Sequence, residues 1–363
     1  MSTDSGQSAS SLYHSDVEPI RLDYERNWAD EFESPEFYSD YGFVVRATAE
    51  TGEDVHLWTF MYRQACDDVV VQGDVCQTVL VVTDFTEEQK RDMHATAFVD
   101  LGQNIEDYHK IGTLTVDQAG DRIDWRMAGR EFSAMPPVWY IRGEHAGVSC
   151  DIRIDDPGPG LFHLGRFEDW PADGTAGYQL HARAEGVIEV GGRILHIHGF
   201  AVHENLGMRG TTTTIPNRLE FMGGQGLNWA HSFGDEFSWY IMNGYAGPAA
   251  VGMVRIGGEV ITAAGMGDVW LEKVEEWLDP DSKQLVPRAW RAYLRAPQGQ
   301  LEATLTAYGR GYYTWNRRGG VIVVHQLVGQ ASSRFTFADG RVLHSDPQLA
   351  FVEHMRTFHQ RSH

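Results

Sequence analysis

The sequence predicts an all-β chain of two barrel- or sandwich-like domains, closed by a short C-terminal helix. Three observations carry this. Short runs of β-branched and aromatic residues alternate with turn signals along nearly the whole chain. Paired glycines at Gly191-Gly192, Gly257-Gly258 and Gly319-Gly320 sit where hairpins would turn. A length of 363 residues exceeds one ordinary barrel and suits two.

Taken in order, strands are predicted over residues 41–48, 55–63 and 69–83, followed by a short polar helix over 86–94. Further strands follow over 122–127 and 138–144. The run Asp155-Asp156-Pro157-Gly158-Pro159-Gly160 excludes both helix and ladder and marks an expected domain boundary. The division is then a disordered Ser-rich tail at 1–20, a first domain at 21–155, a second at 156–345, and a helix or tail at 346–363. In the second half strands are predicted over 187–190 and 194–200, around the turn at Gly191, and over 237–242, 251–256 and 269–277. Those over 289–294, 301–308, 321–328 and 333–337 complete it. Residues 347–359 place Leu349, Phe351, Val352 and Met355 on one side and read as a terminal helix.

The bulk properties exclude several partners. With 51 acidic against 30 basic residues, the net charge of −21 opposes binding to nucleic acid or an anionic membrane. No apolar run approaches the roughly 20 residues of a membrane-spanning helix. The N-terminal residues lack the basic start and apolar core of a secretory signal. The three cysteines, Cys66, Cys76 and Cys150, lack metal spacing and read as reduced packing residues. These features fit a cytoplasmic protein; they say nothing of its oligomeric state. The 11 Trp, 14 Tyr and 17 Phe supply either ordinary core packing or the lining of a cavity for a large apolar ligand, where ring faces also stabilise cations.

The most unusual stretch is Tyr178 to Gly207, where His196, His198, His203, Glu204 and Asn205 crowd into otherwise strand-like sequence. A carboxyl group in an apolar pocket has its pKa raised by desolvation and can serve as a general acid near neutrality. Glu204 is the candidate acid, with His203 and Asn205 beside it to orient water or a substrate carbonyl. The alternative is a strand-end network holding the turn, with Arg209 as ion partner. His231 is a candidate base and Tyr240 a hydrogen-bond donor; alternation puts Tyr240 and Met242 on one face and Trp239 with Ile241 on the other. Trp229 and Trp239 are candidate pocket walls. Asp235 lies in a Gly-Asp turn, and His325 interrupts an apolar strand; both are candidate substrate contacts, against the commoner reading of an exposed turn and a hydrogen-bonded core histidine. His196 and His198 share a strand face and can chelate a metal, an arrangement similar to a cupin's, or serve structurally. No phosphate loop, dinucleotide fingerprint or nucleophile elbow is present.

The loop DPGPGLFHLG at Asp156–Gly165, the strand pair leading through Gly199 to His203-Glu204-Asn205-Leu206-Gly207, and the Trp-rich stretch 228–243 together resemble a known family. It is the two-domain lipocalin-like (calycin-type) group that includes carotenoid 1,2-hydratase, kievitone hydratase, tocopherol cyclase and fungal Diels–Alderases. The resemblance spans roughly residues 35–340. It implies two lipocalin-like β-barrel or sandwich domains packed side by side, a pocket in or between them close to His163, and no obligatory metal or organic cofactor. It also implies a small lipophilic, terpenoid or polyketide-like substrate that undergoes hydration, dehydration or cyclisation. The chain departs from the family motif by placing Glu204 where a histidine stands and Leu206 where a tryptophan stands, which implies a divergent substrate or reaction. The expectation is a cofactor-independent lyase or isomerase. The alternatives are a lipophile carrier of the same fold and a metal-dependent cupin-like enzyme.

Overall fold

The computed structural model describes residues 13–28, 37–66, 69–86, 88, 90, 105–210, 226–244, 250–279, 283–318 and 320–359. Nearly all of them are strand. In chain order the first set is β1 (Val17–Glu18), β2 (Phe37–Ala49), β3 (Asp54–Ala65), β4 (Gly73–Thr83), β5 (Ile105–His109), β6 (Thr115–Ala119), β7 (Arg122–Met127) and β8 (Arg130–Met135). β9 (Val138–His145), β10 (Val148–Asp155), β11 (Gly160–Leu161), β12 (Gly174–Val190) and β13 (Arg193–Arg209) complete one antiparallel sheet, whose main path runs β5-β4-β3-β2-β13-β12-β10-β9-β8-β7-β6. The second sheet comprises β14 (Leu227–Ser232), β15 (Phe237–Gly244), β16 (Ala250–Ile256), β17 (Glu259–Ala264) and β18 (Val269–Leu278). With β19 (Leu285–Ala296), β20 (Gly299–Arg317), β21 (Gly320–Phe337) and β22 (Val342–His359) it runs β17-β16-β15-β14-β22-β21-β20-β19-β18.

The all-β, two-sheet architecture agrees with the sequence, and three details correct it. First, the Pro-Gly run at 155–160 is not where the sheets change. β12 re-enters the first sheet beside β10, with Val148 opposite Val190 and Ile152 opposite Gly186, so the change of sheet falls after Arg209. Proline interrupts pairing locally, but only the next strand's register decides which sheet it joins. Second, residues 347–359 are the end of β22, not a helix. Apolar residues there occupy both faces of a doubly buried strand, a pattern that also satisfies a helical stripe. Third, the N-terminal segment is ordered from Tyr13, which is buried, and Val17–Glu18 pair with Gly160–Leu161. Of the helix predicted over 86–94, Glu88 and Lys90 are helical, and residues 87, 89 and 91–94 lie outside the described residues. The Gly191-Gly192 and Gly257-Gly258 hairpins are as expected.

Both sheets curl on themselves. In the first, Tyr41 of β2 stacks on Trp125 of β7 at a centroid distance of 4.3 Å, although β13, β12, β10, β9 and β8 separate them in the sheet. In the second, Trp239 and Val254 share a core with Val269 and Trp290 from the opposite end. Each curled sheet therefore has its own interior core, and a third core lies between their facing outer surfaces. Arg46 stitches this interface. Its buried guanidinium donates to Val55 O (3.0 Å) in its own sheet and to Ala350 O (3.2 Å), Gly329 O (3.3 Å) and the Tyr308 hydroxyl (3.2 Å) in the other. A buried arginine with every guanidinium nitrogen engaged fixes the relative placement of the two sheets, because sliding either one would strand a charge.

Candidate active site between the two sheets

Strand alternation decides which residues reach the interface. On β13 the odd positions His203 and Asn205 point into the first sheet's interior, and the even positions Glu204, Leu206 and Met208 point at the second sheet. Gly207 lies on the interior side, where the Trp170 ring occupies the space of a side chain: a Cβ there would come within 2.1 Å of it.

The interface opens into a cavity of about 80 Å³. The first sheet contributes Tyr38, Asp40, Trp58, Glu204, Leu206 and Met208, with His163 and Leu164 from the loop after β11. The second supplies Leu227, Trp229, Met242, Trp315, Glu353 and Met355. Trp58 and Trp229 meet nearly at right angles, 82° with centroids 6.0 Å apart, and form a corner. Three carboxyl groups face this apolar space, and no Lys or Arg lines it among the described residues.

Glu204 is 7% exposed and accepts no hydrogen bond among the described residues. Its pKa stands well above the carboxylate range, first because of burial and then because Asp40 and Glu353 are nearby. Glu353 is pushed up to about 8 by burial, with Asp40 adding to the rise; the Gln326 amide, donating at 2.7 Å, and Tyr313 partly offset it. Asp40 accepts from the Tyr38 hydroxyl at 3.1 Å. Like charges in a low-dielectric space cannot all ionise, so protons remain in the cluster near neutrality.

His163 lines the cavity; burial lowers its pKa to about 4, so it is a neutral imidazole, with Nδ1 3.3 Å from Leu161 O. Tyr240 lies beside it, ring centroids 6.1 Å apart. The Tyr240 hydroxyl has no well-formed hydrogen bond among the described residues, although the Trp229 indole is turned toward it, and burial and the nearby Glu204 both raise its pKa. His231 packs on Tyr240 (4.9 Å) and Trp229 (4.3 Å) just behind the cavity wall, its Nδ1 2.8 Å from Nε2 of His181. Burial drives both histidines to the neutral form, His181 to about 3.

Of the residues singled out in the sequence, the structure thus brings Glu204, His163 and Trp229 to the cavity and puts Tyr240 and His231 against its wall. It separates the others. His203 and Asn205 hold the segment Leu22–Glu25 inside the first sheet: His203 lies 3.0 Å from both Glu25 Oε2 and Gly42 O, and Asn205 donates to Tyr24 O at 2.7 Å. A one-residue step along a strand reverses the side chain, so neighbours in sequence cannot serve one pocket. Trp239 is a core residue of the second sheet, its indole donating to Ser333 at 2.8 Å. Asp235 sits in an exposed turn and pairs with Arg183 at 2.8 Å. His325 points into the second sheet's interior, 3.4 Å from Asp279. His196 and His198 project outward and are exposed, and no group of three His, Cys, Asp or Glu among the described residues could hold a metal ion.

Asp40, Glu353 and Trp58 were not singled out. Alternation alone could have found Asp40, two residues from Tyr38 on β2. Glu353 was hidden because its segment reads as helix; as a strand, Phe351, Glu353 and Met355 share a face.

No family model and no curated protein matches the sequence. Solved structures do share its fold. A protein from Nitrosomonas europaea named as an AttH superposes with a TM-score of 0.57 at 12% identity, covering 95% of this chain and 99% of that one. CghA, solved with Sch210972, gives 0.56 at 10% identity, covering 96% of this chain and 95% of the other. A kievitone hydratase from Nectria haematococca gives 0.45 at 10% identity, with 95% and 97% covered. The chain therefore shares its overall fold with the first two of these proteins.

Proposed function

We propose that the chain is a lyase or isomerase that binds a lipophilic, terpenoid or polyketide-like substrate between its two sheets. In this reading Glu204 protonates the substrate or drives its cyclisation. The observation that carries the reading is the Glu204 carboxyl itself: buried, without a hydrogen-bond partner, held above its ordinary pKa and facing a cavity walled by tryptophans. Protonating an alkene requires an acid that keeps its proton near neutrality and delivers it where water is scarce, and this environment supplies both. The aromatic walls stabilise the positive charge that develops as the proton arrives. Asp40 and Glu353 keep the Glu204 proton in place and add negative potential. The neutral His163 and the Tyr240 hydroxyl are placed to orient water or a carbonyl oxygen. The fold is shared with CghA, a Diels–Alderase, which is in keeping with chemistry driven by the protein's own side chains. A carrier would gain nothing from an unpartnered buried acid, whose desolvation costs stability.

The test is incubation with polyprenyl and polyketide-like alkenes, followed by mass analysis. A product heavier by one water, or an isomer, is expected from the wild type, with turnover falling by about 10²–10⁴-fold in Glu204→Gln. Full turnover in that variant would remove Glu204 from the reaction. A ligand bound but never altered would make the protein a carrier.

A further inference from the structure

The face of the first sheet that meets the second carries a polar side chain without a role so far. Gln179 lies directly opposite Glu204 in the β12–β13 ladder and opposite Leu161 of β11. Residues opposed in this way project from the same side of a sheet, so Gln179 points with Glu204 and Leu161 toward the second sheet. Two residues along β12, on the same side, is His181, whose Nε2 lies 2.8 Å from Nδ1 of His231 in β14 across the interface. Gln179 is thus placed between the Glu204 carboxyl and this histidine pair.

All three side chains are buried, Gln179 completely. Neither Oε1 nor Nε2 of Gln179 has a hydrogen-bond partner among the described residues, and neither have Nδ1 of His181 and Nε2 of His231. Such atoms give up their hydration for nothing, and a leucine at position 179 would fill similar space without that cost. Buried polar atoms left open in one patch are the mark of a polar occupant. The patch also has a definite chemistry. The amide N–H donates and the amide oxygen accepts. Burial keeps both imidazoles neutral. Whichever ring donates in the bond between them, the two outer nitrogens are left as one donor and one acceptor. A hydroxyl group answers a mixed set of this kind, because it donates once and accepts twice. A carbonyl oxygen only accepts, and a hydrocarbon does neither.

We propose that Gln179 and the His181–His231 pair form a hydroxyl-binding subsite beside Glu204, so that the ligand of this cavity is an alcohol or a phenol and not a pure hydrocarbon. The inference rests on the reading of the cavity as the substrate site and specifies the functional group that the substrate carries. The amide and the imidazole hold the hydroxyl oxygen, and the apolar remainder lies against Trp58, Leu206 and Trp229.

The experiment sets phenol against toluene, its isostere without the hydroxyl, in competition on the full chain by ligand-observed NMR at pH 7. Phenol is expected to bind at least about tenfold more tightly, because toluene leaves the amide and the imidazole unpaired. In Gln179→Leu that preference should vanish, toluene binding at least as tightly as phenol. The thermal midpoint of this variant should stay level or rise, since an apolar side chain replaces an unsatisfied amide, and it reports at once whether the variant is folded. His231→Phe keeps a ring in the stack on Phe351 and should cut the preference by about tenfold as well. Toluene bound by the wild type as tightly as phenol would overturn the subsite, as would a preference that survives both substitutions. A lowered midpoint in Gln179→Leu with the preference unchanged would also overturn it, making the amide a structural group. Binding of neither compound would count against the cavity itself and overturn the substrate-site reading with it, so the two failures are told apart. No turnover is needed, and loss of the hydroxyl preference alone leaves the role of Glu204 as an acid standing.

Discussion

Acidification from pH 7 to pH 5 is expected to lower the denaturant midpoint steeply. His56, His163, His181, His231 and His354 are all buried, and burial depresses each pKa: to about 3, 4 and 3 for His56, His163 and His181, and well below the ordinary value for His231 and His354. In the unfolded chain each titrates near 6.5. The unfolded state therefore binds more protons over this window. The stability these groups provide is complete above about pH 6.5 and is lost as pH falls toward 3–4. Each loses about 1.4 kcal/mol per pH unit, so five of them lose on the order of 10 kcal/mol by pH 5. Glu204 and Glu353 act with the opposite sign. Their raised pKa values mean that their contribution is intact at low pH and lost as pH climbs above the unfolded value near 4.5, for Glu353 toward about 8. Acidifying from 7 to 5 returns roughly 3 kcal/mol for each of the two. The histidines win by number, leaving a net loss of several kcal/mol against a total stability of about 5–15 kcal/mol. Urea midpoints at pH 7, 6 and 5 check this; a midpoint that stays level would contradict it. A variant carrying both Glu204→Gln and Glu353→Gln should lose stability still more steeply.

Glu25→Ala should destabilise the protein by about 3–5 kcal/mol, because it removes the acceptor at the centre of a closed network. Its carboxylate accepts from Tyr41 (2.6 Å), Tyr178 (2.8 Å) and Trp139 (3.0 Å) and lies 3.0 Å from His203, all of them buried. Alanine would leave these donors unsatisfied in the first sheet's interior. The thermal midpoint should fall by on the order of 5–10 °C in a scan against the wild type. His203→Ala should behave similarly, because it breaks the same network. A drop confined to the variation seen for exposed substitutions would show that the network is not closed as described.

This contrast between adjacent residues bears on what a sequence can reveal. The segment His203-Glu204-Asn205 is conspicuous because polar residues are rare in a buried strand, and that much was legible. The alternation rule was also available, yet it says only that Glu204 opposes its neighbours. Which face meets the other sheet depends on how β13 is registered between β2 and β12. The same limit accounts for the domain boundary: the Pro-Gly run correctly marks a break, but β12 pairs with β10 across 148–190, a contact between residues distant in the chain. Glu353 was lost for a different reason. A strand buried on both faces carries no period-2 signal, so Phe351, Val352 and Met355 imitate a helix and hide the acid between them. Trp239 shows the reverse case: alternation sets it on the face opposite Tyr240, and that face is the second sheet's core.

The account turns on a Glu204 that keeps its proton at neutral pH. The infrared difference spectrum between the wild type and Glu204→Gln at pH 7 measures this directly. A protonated carboxylic C=O stretch, present in the wild type and missing from the variant, is the predicted result. Loss of ionised carboxylate bands instead, with no protonated band removed, would show Glu204 to be an ordinary anion and would take away the acid on which the proposed chemistry depends.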